Sequence, residues 1–148
     1  MTEDSTSFFR KKGAAGLVAD VLRYSLDDEE MSLNASVIFR NMAQDAEYTD
    51  EAVAVYNEIG FELIFQALSR YTENEEICEN MLGMFDKRLS VYSKTVRDIK
   101  YRKSEETMLK EIEVLNRVAA MHKASRTIAR GFVSFFKTFS FHIEHGKT

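Results

Sequence analysis

The chain contains no proline and no tryptophan, a single cysteine, and only six glycines in 148 residues. Proline collects in turns and at strand edges, so its absence predicts a domain built from helices. One cysteine, Cys78, cannot close an internal disulfide or supply a cysteine-based zinc site. That excludes a stapled secreted scaffold. No apolar run approaches the roughly 18 residues of a membrane span. The opening segment MTEDSTSFFRKKG is acidic before it is basic and lacks the apolar core of a signal peptide. Gly13-Ala-Ala-Gly16 is too short for a phosphate-cradling glycine loop. These absences lead to the expectation of an intracellular, cytoplasmic protein.

What is present is a strong core composition with an uneven charge. Residues are 45% hydrophobic and 30% charged, enough to fold a single helical domain over 1–148. The net charge of −4 hides two halves of opposite sign. Residues 1–80 hold 6 Lys and Arg against 17 Asp and Glu, whereas residues 81–148 hold 14 against 7. Such a division suits either two partners steered to different ends or copies that meet head to tail.

The first half repeats itself. Laying 13–39 over 59–85, a shift of 46, makes six of 27 positions identical: Leu17/Leu63, Leu22/Leu68, Glu29/Glu75, Glu30/Glu76, Asn34/Asn80 and Phe39/Phe85. About one chance match in twenty is expected for average composition. Each copy reads as two long helices. In the second, Phe61, Ile64, Phe65 and Leu68 form one apolar stripe, and Ile77, Met81, Met84 and Phe85 form the next. Thr72-Glu-Asn-Glu between them supplies helix-start chemistry. A shorter helix over 48–59, capped by Thr49, precedes the second copy. A period of 46 falls in the ≈ 40–47 residue range of armadillo and HEAT units.

With three helices per unit, these segments resemble the armadillo repeat family. Glu30-Met-Ser-Leu-Asn-Ala-Ser-Val-Ile-Phe-Arg-Asn-Met-Ala43 is similar to that repeat's third helix, and Glu76-Ile-Cys-Glu-Asn-Met-Leu-Gly-Met-Phe85 repeats it. The resemblance covers two units, about 13–42 and 48–87. It implies an all-α fold, a short right-handed armadillo-like α-solenoid of about 2.5–3 three-helix repeats. Residues 88–148 are then a degenerate third unit or a C-terminal helical cap, with helices expected over 89–101, 105–121 and 123–143. The resemblance also implies a groove in which a tryptophan precedes a ligand-clamping asparagine by four positions. Those places fall on Val37 and Gly83 for tryptophan, and on Asn41 and Lys87 for asparagine. Only Asn41 fits, so a nuclear-import-type clamp is not expected.

A solenoid this short raises a physical problem. Each unit leaves an apolar flank for its neighbour, and about three units with polar caps are needed for stability. Either terminal helices serve as caps, or another protein covers the flank. The last helix bears on this. At 100° per residue from Ile128, Phe132, Phe135, Phe136, Phe139 and Ile143 fall within roughly 100° of arc. Lys123, Arg126, Arg130 and Lys137 lie opposite. This stripe either packs on helix 105–121 or anchors a partner, and a membrane-surface role ranks third. Within 105–121, Met108, Ile112, Leu115 and Ala119 form the expected core stripe.

Catalytic groups are sparse. His142 and His145 flank Glu144 without further metal ligands at suitable spacing. His122 ends a helix, and Cys78 aligns with Ser32 as a small buried residue. Asp27-Asp-Glu-Glu30 lacks the alternation and glycine of a calcium loop and reads as a helix start. No enzyme, cofactor or metal is expected. The function expected is a non-catalytic protein-interaction module or subunit of a larger assembly. Its partner-binding candidates are Asn41, Phe132, Phe135, Phe136, Phe139, Arg126, Arg130 and Lys137, with self-association among the options. The alternative is a nucleic-acid-binding helical protein using Lys87, Arg88, Lys94, Arg97, Lys100, Arg102 and Lys103.

Overall fold

The computed structural model describes residues 13–44, 61–84 and 105–146, and these form six α-helices with no strand among them. They are α1 (Ala14–Tyr24), α2 (Glu29–Gln44), α3 (Phe61–Arg70), α4 (Glu75–Gly83), α5 (Glu105–Met121) and α6 (Arg126–Gly146). The helices come in pairs, α1–α2, α3–α4 and α5–α6, each joined by four residues. The helices expected over 48–59 and 89–101 lie outside the described residues.

The three joining turns share one backbone pattern. Ser25, Tyr71 and His122 each donate an N–H back to the helix just ended, reaching the carbonyls of Val21, Ala67 and Val118. Three residues on, Asp28, Asn74 and Ser125 donate to the carbonyls of Ser25, Tyr71 and His122. Those same three residues cap the helix that follows. The Asp28 carboxylate accepts from Met31 N–H at 3.0 Å, the Asn74 amide oxygen from Ile77 N–H at 3.0 Å, and Ser125 Oγ from Ile128 N–H at 3.2 Å. Caps of this kind satisfy amide groups that a helix start otherwise leaves without partners. Acidic side chains follow in the first turns of α2 and α4, Glu29, Glu30, Glu75 and Glu76, where the helix dipole favours them. In the chain the first two turns stand 46 residues apart, the spacing of the sequence repeat, whereas the third stands 51 after the second.

Helices of a pair pack on each other, and the pairs pack in chain order. Between pairs, α2 lies on α4 and α4 lies on α6, while α3 meets α5. This puts α4 in the middle. It has neighbours on three sides, and Ile77, Cys78, Asn80, Met81, Leu82 and Gly83 are all buried. Its three glutamates, Glu75, Glu76 and Glu79, take the sides left toward solvent. The largest fully buried side chains, among them Leu22, Phe39, Ile64, Leu68 and Met81, form one continuous core through the three pairs.

Two expected boundaries and stripes shift. The last helix begins at Arg126 and not at 123, because Ser125 is its cap and Lys123 and Ala124 belong to the turn. In α5, Leu115 and Val118 are the buried apolar residues, while Met108 only flanks the core. The seam lies there because α5 must face both α3 and α6.

Candidate functional site

Side chains reach from each turn to the turn before it, and they do so from matching positions. Tyr71 donates its hydroxyl to the carbonyl of Leu26. One pair later His122, in Tyr71's place, donates from Nε2 to the carbonyl of Thr72 at 2.6 Å. Thr72 itself stands in Leu26's place. The caps also reach backwards: Asn74 Nδ2 donates to Glu29 Oε1 at 3.0 Å, and Ser125 Oγ donates to Glu79 Oε1 at 2.8 Å. Arg70 adds an exposed ion pair with Asp27 at 2.7 Å, of the sort that contributes little to stability.

Beneath this ladder the second helices of each pair come close together. Asn80, nearly fully buried, donates to Ser36 Oγ at 3.1 Å and accepts from the Arg40 guanidinium at 3.2 Å. Buried amides are tolerable only with such partners. In the next pair Gly131 takes the place of Asn80, and a Cβ there would stand 2.3 Å from the Leu82 carbonyl oxygen. The backbones of α4 and α6 meet directly at that point. Gly83, the second position where the armadillo resemblance leads one to expect tryptophan, lies buried under Arg40, and a Cβ on it would come within 2.9 Å of the guanidinium. Val37, the first such position, is exposed on α2.

Matching positions differ sharply in exposure at the two ends of the row. Met31 takes the place of Ile77 and Ile128; those two are 0% and 1% exposed, whereas Met31 is 40% exposed. Leu17 is 68% exposed, yet its counterpart Leu63 is 3% exposed. Val21 is exposed as well, while Ala67 and Val118 in its place are fully buried. These three apolar positions are buried in the second pair and exposed in the first. The far end mirrors this. Val133 takes the place of Ser36 and Leu82, which are fully buried against the following pair, and it is 61% exposed. Ala129, in the place of buried Ser32 and Cys78, is likewise exposed.

The partner-binding candidates divide between core and surface. Asn41 is exposed on α2, and Arg126 and Arg130 are exposed on α6. Phe135 turns inward and packs edge-on against Phe65 of α3 with ring centroids 5.5 Å apart. It is part of the core, so the stripe does not present all its rings to a partner. Phe132 and Phe136 are half-buried and lie against one another at 4.8 Å. The side chains of Lys137, Phe139, His142 and His145 fall outside the described residues, as does the whole basic set from Lys87 to Lys103. Sequence reasoning missed Tyr71, Glu79, Ser125 and Gly131, and it read His122 only as the end of a helix. The signal for them was the spacing Ser25/Asp28, Tyr71/Asn74, His122/Ser125, visible only when the second offset is allowed to differ from the first.

Chemically reactive groups are few among the described residues. No three of His, Cys, Asp and Glu converge on a metal position. Cys78 is fully buried and points its Sγ toward the carbonyls of Tyr71 and Thr72, at 3.4 and 3.7 Å. Burial, with the carboxylates of Glu75 and Glu79 adding to it, pushes the thiol up from 9.0 to about 12. Only a thiolate attacks electrophiles readily. Iodoacetamide at pH 9 is therefore expected to leave the folded protein unlabelled and to alkylate Cys78 quickly once urea unfolds it, as read by intact mass. Because the folded state keeps its proton longer than the unfolded one, Cys78 lowers stability as pH rises from about 9 toward about 12 and has no effect below that window.

No family model, no curated protein and no solved structure matches the chain.

Proposed function

We propose that the chain is a non-catalytic protein-interaction module, a structural subunit of a larger assembly, folded as a short right-handed armadillo-like α-solenoid. The observation that carries this reading is the unequal exposure of equivalent positions. Leu17, Val21 and Met31 are apolar and exposed, whereas Leu63, Ala67, Val118, Ile77 and Ile128 in their places are buried. Repeat proteins are stabilised chiefly by contacts between adjacent units, so a unit with a greasy, uncovered flank is built to receive something. Three turns of one hydrogen-bonding pattern and the row α2, α4, α6 support the solenoid architecture. A thiol that holds its proton to high pH supports a role without catalysis. Asn41, Phe132, Phe136, Arg126 and Arg130 are the further contact residues of this reading, and no helix among the described residues is long and apolar enough to cross a membrane.

The test is affinity capture with the intact chain, its Met31→Asp and Leu17→Asp variants, and Glu113→Ala as an exposed control. The captured proteins should be lost with the two flank variants and kept with the control. Capture that survives both flank substitutions, or that is replaced by salt-sensitive binding to polyanions, would overturn the reading.

A further inference from the structure

We propose that the partner at the open flank is a second copy of this chain, the first helix pair of one copy seated on the third pair of the next. The inference rests on the interaction-module reading and names its occupant. Its argument comes from what the two internal junctions have in common. At each, the capping residue of the later pair donates to a carboxylate of the earlier pair, Asn74 to Glu29 and Ser125 to Glu79.

At a junction between copies, the later pair is α1–α2 and the earlier one is α5–α6. The cap is then Asp28, an acceptor. The places of Glu29 and Glu79 are taken by Arg126 and Arg130, both exposed donors. Donor and acceptor thus change places on both sides at once, and the contact stays complementary. A change on one side alone would have set like charges or two donors against each other.

The apolar parts match in the same register. Met31 supplies the side chain that Ile77 and Ile128 supply inside the molecule. Val133 lies where Leu82 receives the following pair, and exposed Ala129 stands one turn before it. Asn34, exposed on α2, meets Val133 where Asn80 meets Ser36 and Gly131 meets Leu82. The Asp28 carboxylate and the two guanidiniums attract one another at short range, and salt weakens that attraction. Because the two surfaces differ, the contact does not close on itself, and copies add in a row.

Sedimentation velocity on the full chain tests this. Its mean mass should rise with concentration past the dimer, with a dissociation constant of about 1–100 μM, and should fall as salt is added. Met31→Asp blocks one end and Val133→Asp the other; both positions are exposed, so the folds persist. Each variant alone should stay monomeric, while an equimolar mixture should form a dimer and stop there. Asp28→Arg should weaken association at least about tenfold, and mixing it with an Arg126→Asp, Arg130→Asp copy should recover much of the loss. A full chain that remains monomeric at about 100 μM overturns the proposal. So does self-association by Val133→Asp alone, or a dimer indifferent to both end substitutions. If the chain is monomeric yet Met31→Asp still abolishes capture of other proteins, self-stacking fails and the interaction-module reading stands.

Discussion

Gly131→Val is expected to destabilise the protein by about 3 kcal/mol or more, with Gly131→Ala costing about 1–3 kcal/mol. The sign is the diagnostic part. In an open helix, replacing glycine by alanine gains roughly 1 kcal/mol, because glycine gives up more backbone freedom on folding. Here the added carbon would sit 2.3 Å from the Leu82 carbonyl oxygen and 2.7 Å from the Leu82 carbonyl carbon. Those are backbone atoms, so no rotamer change relieves the clash, and α6 must move off α4. That movement would also stretch the Ser125–Glu79 hydrogen bond and loosen Phe135 on Phe65. Urea denaturation followed by helical circular dichroism measures it. A stabilised alanine variant would mean that α4 and α6 are not in backbone contact.

Much of the fold is legible in the sequence because helix periodicity and cap chemistry are local. The helix over 105–121 is found with the same bounds, and the start of α4 follows from the Thr72-Glu-Asn-Glu segment, where Asn74 is the cap. The 46-residue repeat also predicts which turns are equivalent, since Ser25 and Tyr71 hold corresponding backbone bonds. The third pair escapes that reading for a physical reason. What repeats there is a turn geometry, and a turn cap needs only some short side chain with an oxygen. Asp28, Asn74 and Ser125 perform one task while sharing no identity. The five extra residues before the third turn then put every remaining match out of step. At the 51-residue offset Ile128 falls on Ile77, both fully buried, and in the sequence Phe136 falls on Phe85, so apolar anchors persist where the motif does not.

The candidate site is less legible, because exposure depends on what stands next to a residue. A stripe calculation treats Phe132, Phe135 and Phe136 alike. The structure separates them, since α6 leans on α4 and α5 and pushes Phe135 against Phe65. The charge division between the halves is plain in the sequence, yet much of its basic part, Lys87 to Lys103, lies outside the described residues. Met31 is the clearest instance. Nothing local distinguishes it from Ile77, yet Met31 is 40% exposed where Ile77 is fully buried.

That comparison supplies the other large effect. Ile77→Ala and Ile128→Ala are each expected to cost about 2–5 kcal/mol, the range for truncating a fully buried isoleucine. Met31→Ala, made at the same structural position and measured at concentrations low enough to keep the chain monomeric, is expected to cost less than about 1 kcal/mol. The lost transfer energy scales with area removed from water, and Met31 has much of its area in water already. Ile77 has the further penalty of a cavity at the centre of the row, where α4 is held by α2, α3 and α6 and cannot collapse toward any of them without losing another contact. Raising the concentration should separate the variants in a second way. If a neighbouring copy completes the position, Met31→Ala becomes costly as association sets in, because the side chain then fills the role that Ile77 has within the chain. The same urea titration at two protein concentrations reads both effects. Equal costs for Met31 and Ile77 in the dilute monomer would mean that a pair already stands ahead of α1 and α2, and that the open flank does not exist.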